Sequence, residues 1–268
     1  MSLREQVAQQ AFVWGLPAVT LYAVLHEQVL APAHNGLAGR LNRVLHGPLP
    51  TGLATLSGTT GPSTFCAWLD LRSGPVHLIV PAVEPRDATV RATVFDLSGE
   101  VVGQVPEALD TPGHPSVVVG PSWDSPVSPE VAAILRCRTD LCVAVGVSVD
   151  PGRQAQGPQG APPAGEPVLI HHVGSTTRAP SPLPPPVPPV DVRRPPTVEF
   201  LTVLDWMIEL MPTTPGEEDL RADLELVGVA CGRSALVEAM AEDRLDGQLT
   251  EGLRQGFEDV RRGRGRWF

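Results

Sequence analysis

Lysine is absent from this chain. All 20 of its Lys/Arg residues are arginine, against 30 acidic residues, leaving a formal net charge of −10. That balance excludes a surface built to track phosphates, because nucleic-acid binding needs concentrated cations. The lack of lysine is read as the mark of a GC-rich coding genome rather than of selection for bidentate pairing. Aromatic residues are also few, 4% of 268 with Tyr22 the single tyrosine, so apolar volume has to come from Val, Leu and Ala. Four cysteines at this length make no disulfide framework and are expected to stay reduced. No basic segment followed by an apolar one opens the chain, which predicts a cytoplasmic protein. The longest apolar run, AFVWGLPAVTLYAVL, is interrupted by Gly15 and Pro17 and falls short of the ~20 residues that a membrane span needs. Also missing are a Gly-x-Ser-x-Gly elbow, a P-loop and a dinucleotide fingerprint, so hydrolase-triad, NTPase and Rossmann readings fall and no cofactor is expected.

What is present changes period along the chain. Leu3, Val7, Ala8, Ala11 and Phe12 recur at helical spacing, and a second helical piece, about Ala18 to Val29, is expected beyond Pro17. Between Thr64 and Val149 the pattern becomes short β-type runs: TFCAWLDL, VHLIVPAV, ATVRATVFDL, EVVGQV, SVVVG and LCVAVGVSV. Leu97 to Glu100 reads as a hairpin turn. Runs this close together leave no room for helical crossovers, so the sheet is expected to be largely antiparallel. After Asp150 come a Pro/Gly/Gln-rich stretch, one more strand in VLIHHVGS, and APSPLPPPVPPVDVRRPP, a stiff polyproline strap. Helical periodicity returns over Thr197–Met211, Glu217–Val229, Ser234–Glu242 and Gln248–Arg262. The expected fold is α+β: an antiparallel β-sandwich or jelly-roll-like core, N-terminal helices and a C-terminal helical segment. Its expected divisions are 1–150, a 151–196 strap with one strand, and 197–268.

The order of segments AFVWGLPAV, AWLDL, GPVHLIVPAV, VFDLSGEVVG, VVVGPSWDSPVSPE and ILRCRTDLCVAVGV resembles the domain of unknown function 1254 family, from about Ala11 to Val149. The later PPTVEFLTVLDWMIELMPTTPGEEDLRADLELVGVACG is similar to the helical segment that follows that domain. The resemblance implies a β-sandwich-like core with surrounding helices and implies no particular reaction. Where the family carries a Pro-Asn-x-Asp-Thr-x-Tyr signature, this chain has GTTGPSTFC. Its Arg-Tyr-Tyr run is replaced by RDATVRATVFD, which leaves Arg86, Asp87 and Arg91 as the charged candidates there.

Candidate chemistry is sparse. Asp70 alternates with Trp68 and Cys66 along its strand, and a carboxylate on either face needs a partner. Arg91 is the expected one, either in a structural ion pair or as the anion stabiliser beside a catalytic Asp70. Thr59, Thr60, Ser63 and Thr64 are turn hydroxyls that suit a substrate oxygen or simply a turn. His171 and His172 are neighbours on a strand and point opposite ways, so one of them is a candidate proton carrier and the other lines the substrate site. Trp68 and Trp123 are candidate pocket walls, Trp123 serving equally as a plug at the sandwich end. Cys137 and Cys142, five apart on a strand, would face opposite ways and share no zinc, and no His-x-His or His-Glu-x-x-His spacing supports a metal.

Together these features lead to an expectation of a cofactor-independent enzyme that acts by acid/base chemistry on an apolar small molecule. A specialised-metabolite cyclisation, isomerisation or hydrolysis is the form expected. The alternative is a non-catalytic carrier or accessory protein docking through the strap or the RRGRGRWF tail. Neither nucleic acid nor a membrane is an expected partner, and a homo-oligomer is left open.

Overall fold

The computed structural model describes residues 1–31, 41–61, 63–79, 89–105, 115–126, 131–149, 169–172, 182–230 and 243–264. They fall into two compact units, one of residues 1–36 and 183–268, the other of residues 37–182.

The first unit is helical. Its long helix α1, Leu3–Leu25, starts at a capping box in which the Glu5 amide donates to Ser2 Oγ and the Ser2 amide donates to the Glu5 carboxylate. The helix runs straight through Pro17 and continues as a π-helical turn, His26–Leu30. The sequence instead suggests a break there, since proline removes the bond to the carbonyl four residues back. Burial on both sides of Pro17 overrides that loss. Segment Leu3–Leu30 is thereby long and apolar enough to cross a membrane, but 67% of its apolar window is buried inside the fold, as in a core helix.

Among the described residues three more α-helices follow in this unit after the strap: α3 (Glu199–Ile208), α4 (Glu218–Leu224) and α5 (Asp243–Asp259). The scarce aromatics meet here. Phe12 of α1 lies 4.7 Å from the Phe200 ring and edge-on to Phe257 at 6.1 Å, while Tyr22 meets Trp206 at 4.9 Å. Two glycines let α1 and α5 close up: a Cβ on Gly252 would strike the Glu5 carbonyl, and one on Gly256 would stand 2.8 Å from the Gln9 carbonyl. Strap residues Pro185 and Val187 pack back on these helices. Tyr22 Oη donates to the Val187 carbonyl (2.6 Å) and accepts from the Val187 amide (2.8 Å), and Trp206 Nε1 donates to the Pro185 carbonyl (3.1 Å). The expected helix Ser234–Glu242 and the residues Trp267 and Phe268 lie outside the described residues.

The second unit is the sandwich. Its strands are β1 (Val44–His46), β2 (Thr64–Asp70), β3 (Val76–Ile79), β4 (Thr89–Asp96), β5 (Val101–Val105), β6 (Ser116–Val119), β7 (Ala133–Arg136), β8 (Leu141–Val149) and β9 (Leu169–His172). A short helix α2, Thr51–Ser57, lies between β1 and β2. One sheet has the order β1-β2-β8-β4-β5 and the other β7-β6-β3-β9. Among the described residues every pairing is antiparallel except β6 with β7, whose connection through residues 120–132 is long enough to return the chain to the same end. Phe65, Ala67, Leu69 and Leu71 from one sheet and Val76, Leu78, Val118 and Leu135 from the other share a single buried core. The β4–β5 hairpin turns on Asp96, whose Oδ1 accepts from the Ser98 and Glu100 amides, both at 3.0 Å.

Candidate functional site

Strand β2 positions Asp70 at its last residue, on the face away from the inter-sheet core, next to Leu141 of β8. Asp70 is 4% exposed. Its partner is Arg72, two residues on: Nη2 donates to Oδ2 at 2.7 Å, Nε to Oδ1 at 2.9 Å, and the Arg72 amide to Oδ1 at 3.1 Å. The pairing with Arg91 expected from the sequence does not form. Arg91 stands beside Val147 on β4. From Leu141 to Val147 is six residues of strand, about 20 Å at about 3.3 Å each. Arg91 is exposed.

A second carboxylate stands beside this pair. Asp140 opens onto β8 from the turn after β7, and its carbonyl accepts from the Leu71 amide (2.9 Å). Burial pushes the half-buried Asp140 carboxyl above the ordinary aspartate value, Arg72 opposes that through space, and the charge of Asp70 adds to it. Asn42 anchors the backbone below. Held in the left-handed region at φ 59, it accepts from the Asp70 amide through Oδ1 at 2.9 Å. The turn carrying Trp123 reaches the same end of the sandwich: its first residue, Gly120, lies against Leu71, so that a Cβ on it would be 3.0 Å from the Leu71 Cβ. The Trp123 indole Nε1 is buried and has no hydrogen-bond partner among the described residues.

The remaining sequence candidates divide between that end and the opposite one. Trp68 is fully buried opposite Val143, on the same strand face as Asp70, with no surface for a substrate. At the other end, Thr64 is opposite Val147 and spends its hydroxyl on the Gly47 and Gly61 carbonyls at 2.7 and 2.9 Å. Thr60 and Ser63 are exposed beside it. His171 is in register with His77, and His172 with Val76; the side chains of both lie outside the described residues, as do Arg86 and Asp87. Among the described residues no three His, Cys, Asp or Glu side chains come together as a metal site.

Cys137 and Cys142 do not alternate along one strand. Residues 138–140 form a turn between them that carries the chain from β7 in one sheet to β8 in the other. Both therefore point into the inter-sheet core. The Cys137 sulfur lies 3.3 Å from Thr139 Oγ1.

The site residues that sequence reasoning missed are Arg72, Asp140 and Asn42. Only Arg72 carried a signal, since positions two apart on an extended chain share a face.

The second unit is thus a two-sheet sandwich with a buried Asp–Arg pair at one end. Residues 42–162 match the model of the family described as protein of unknown function DUF1254, the stretch that holds the AWLDL and hairpin segments. The fold is similar to the crystal structure of the VPA0106 protein from Vibrio parahaemolyticus, with a TM-score of 0.63 at 14% identity, over 97% of this chain and 59% of that one. This chain thus spans 59% of the length of that protein. No curated protein matches the chain.

Proposed function

We propose that the protein is a cofactor-independent enzyme performing acid/base chemistry on an apolar small molecule, with Asp140 as the proton carrier. The reading is carried by one observation: a half-buried carboxyl with a raised pKa stands against a second carboxylate that is already spent on an arginine. A carboxyl tuned upward by burial holds a proton more readily than a free aspartate, which suits a group that gives and takes one. Arg72 would hold a developing negative charge, Asp70 would fix Arg72, and the unpartnered Trp123 indole would supply a donor and a flat apolar wall. Arg91 has no place in this arrangement. Cyclisation, isomerisation or hydrolysis in a specialised-metabolite route is the proposed setting, in the cytoplasm and with no membrane or nucleic-acid partner.

The carrier reading draws on the saturation of Asp70 by Arg72, which is what a structural ion pair would look like. Native mass spectrometry of the purified protein after incubation with a metabolite extract from its host separates the two. The enzyme reading expects a small molecule that wild type converts and that Asp140→Asn retains unchanged. A ligand held identically and left unchanged by both proteins would make this a carrier.

A further inference from the structure

We infer that Cys137 and Cys142 form a peroxide-sensitive dithiol that closes to a disulfide joining the two sheets of the sandwich across the turn that carries Asp140. Two geometric facts carry this. Cys137 directly precedes the turn 138–140 and Cys142 follows it after Leu141, the Cys137 amide donating to the Val119 carbonyl of one sheet and Cys142 paired with Leu69 and Asp96 of the other. Both side chains belong to the same buried inter-sheet core. Both are reduced in this structure.

The two sulfurs are not equivalent. Cys137 is 3% exposed, lies between the exposed Arg136 and Arg138, and sits just past β7, a four-residue edge strand. Short edge elements of this kind open locally, which gives a small oxidant access without global unfolding. The Cys142 hydrogen bond lowers the Cys137 pKa, and burial drives that of Cys142 well up. Cys137 is therefore the attacking thiolate and Cys142 the resolving thiol.

The chemistry balances with a hydroperoxide as oxidant. The Cys137 thiolate attacks the peroxide oxygen, the O–O bond breaks, and the leaving oxygen takes a proton to depart as water from hydrogen peroxide or as an alcohol from an organic hydroperoxide. Cys142 then attacks the sulfenic sulfur, the S–O bond breaks, and the hydroxide leaves with the Cys142 proton as water. Two thiols lose two electrons in total and one hydroperoxide gains them.

The disulfide rests on this geometry alone; its consequence for catalysis rests on the proposed role of Asp140. Closing the bond draws the ends of the turn together and fixes the segment from which Asp140 reaches Arg72.

The test treats the whole protein with hydrogen peroxide, alkylates the remaining thiols under denaturing conditions and maps tryptic peptides. Cleavage at Arg136 and Arg138 separates the two cysteines, so a bond between them appears as a linked pair of peptides. The expected result is an intact mass lower by about 2 Da and a Cys137–Cys142 linkage that dithiothreitol reverses. In Cys142→Ser, Cys137 halts as a sulfenic acid that dimedone traps. Full alkylation of Cys137 and Cys142 after peroxide, or linkage to Cys66 or Cys231 instead, would overturn the proposal. The wild-type map decides even if the variant fails to fold. A linkage that forms while Asp140→Asn retains full turnover would sink the acid/base reading and leave the disulfide standing.

Discussion

Asp70 and Arg72 face each other two residues apart, their side chains joined by two hydrogen bonds of 2.9 and 2.7 Å with the carboxylate almost wholly buried. The geometry is that of a fork on a carboxylate, formed where β2 ends and the chain turns. Truncating one member leaves the other charge buried and unmatched. Arg72→Ala is therefore expected to cost about 3–5 kcal/mol in urea denaturation, whereas Asp70→Leu combined with Arg72→Met costs less than that single change. Equal losses for the single and double variants would show that the pair is not coupled.

Asp140 sets a pH dependence with an unusual sign. Its folded pKa lies above the unfolded value, so the folded state binds the extra proton between the two values. Stability contributed by this group is present at low pH and falls as pH rises from about 4 through the folded value. Asp140→Asn is expected to flatten that fall and to be the more stable protein at neutral pH. Chemical denaturation across this range checks it, and a wild-type fall that the substitution leaves unaltered would assign it to another group.

Tyr22 holds the polyproline strap by both backbone groups of Val187. Tyr22→Phe removes a donor and an acceptor at once and leaves the Val187 amide and carbonyl unmet, at a cost of about 1–3 kcal/mol. Limited proteolysis should then cut within residues 182–196 sooner than in wild type. Unchanged cleavage would mean that the Trp206 contact holds the strap by itself.

The approach of α1 to α5 depends on Gly252 and Gly256. Alanine is the better helix former by about 1 kcal/mol, yet at Gly252 its methyl would meet the Glu5 carbonyl and the Ala8 Cβ, the latter at 2.8 Å. Gly252→Ala is expected to lose about 1–3 kcal/mol by thermal denaturation, and a gain in stability would show that the helices can part freely.

Much of the fold was legible because a sheet with a buried face writes itself as alternation. TFCAWLDL, ATVRATVFD and LCVAVGVSV each became a strand, and Leu97 to Glu100 its hairpin turn. Strands β1 and β7 were not legible, having three and four residues, and β7 reads simply as AILR beside a charged turn. That α1 clusters with the C-terminal helices left no local trace, since Phe12 and Phe200 are joined by packing across most of the chain. At the site, Asp70 was read correctly as a carboxylate in need of a partner. Arg91 was the wrong one because register, which sequence does not carry, places it at the far end of the sheet. Asp140 was invisible for the same reason: it acquires its environment only when β8 pairs beside β2.

The proposed role of Asp140 as proton carrier is decided by following a host metabolite extract by liquid chromatography and mass spectrometry over time with wild type, Arg91→Ala and Asp140→Asn, each verified as folded by circular dichroism. One metabolite is expected to be consumed and one product formed by wild type and Arg91→Ala alike, with turnover lost in Asp140→Asn by a factor of about 10²–10⁴. Undiminished turnover by folded Asp140→Asn, or no metabolite converted by wild type, would contradict it.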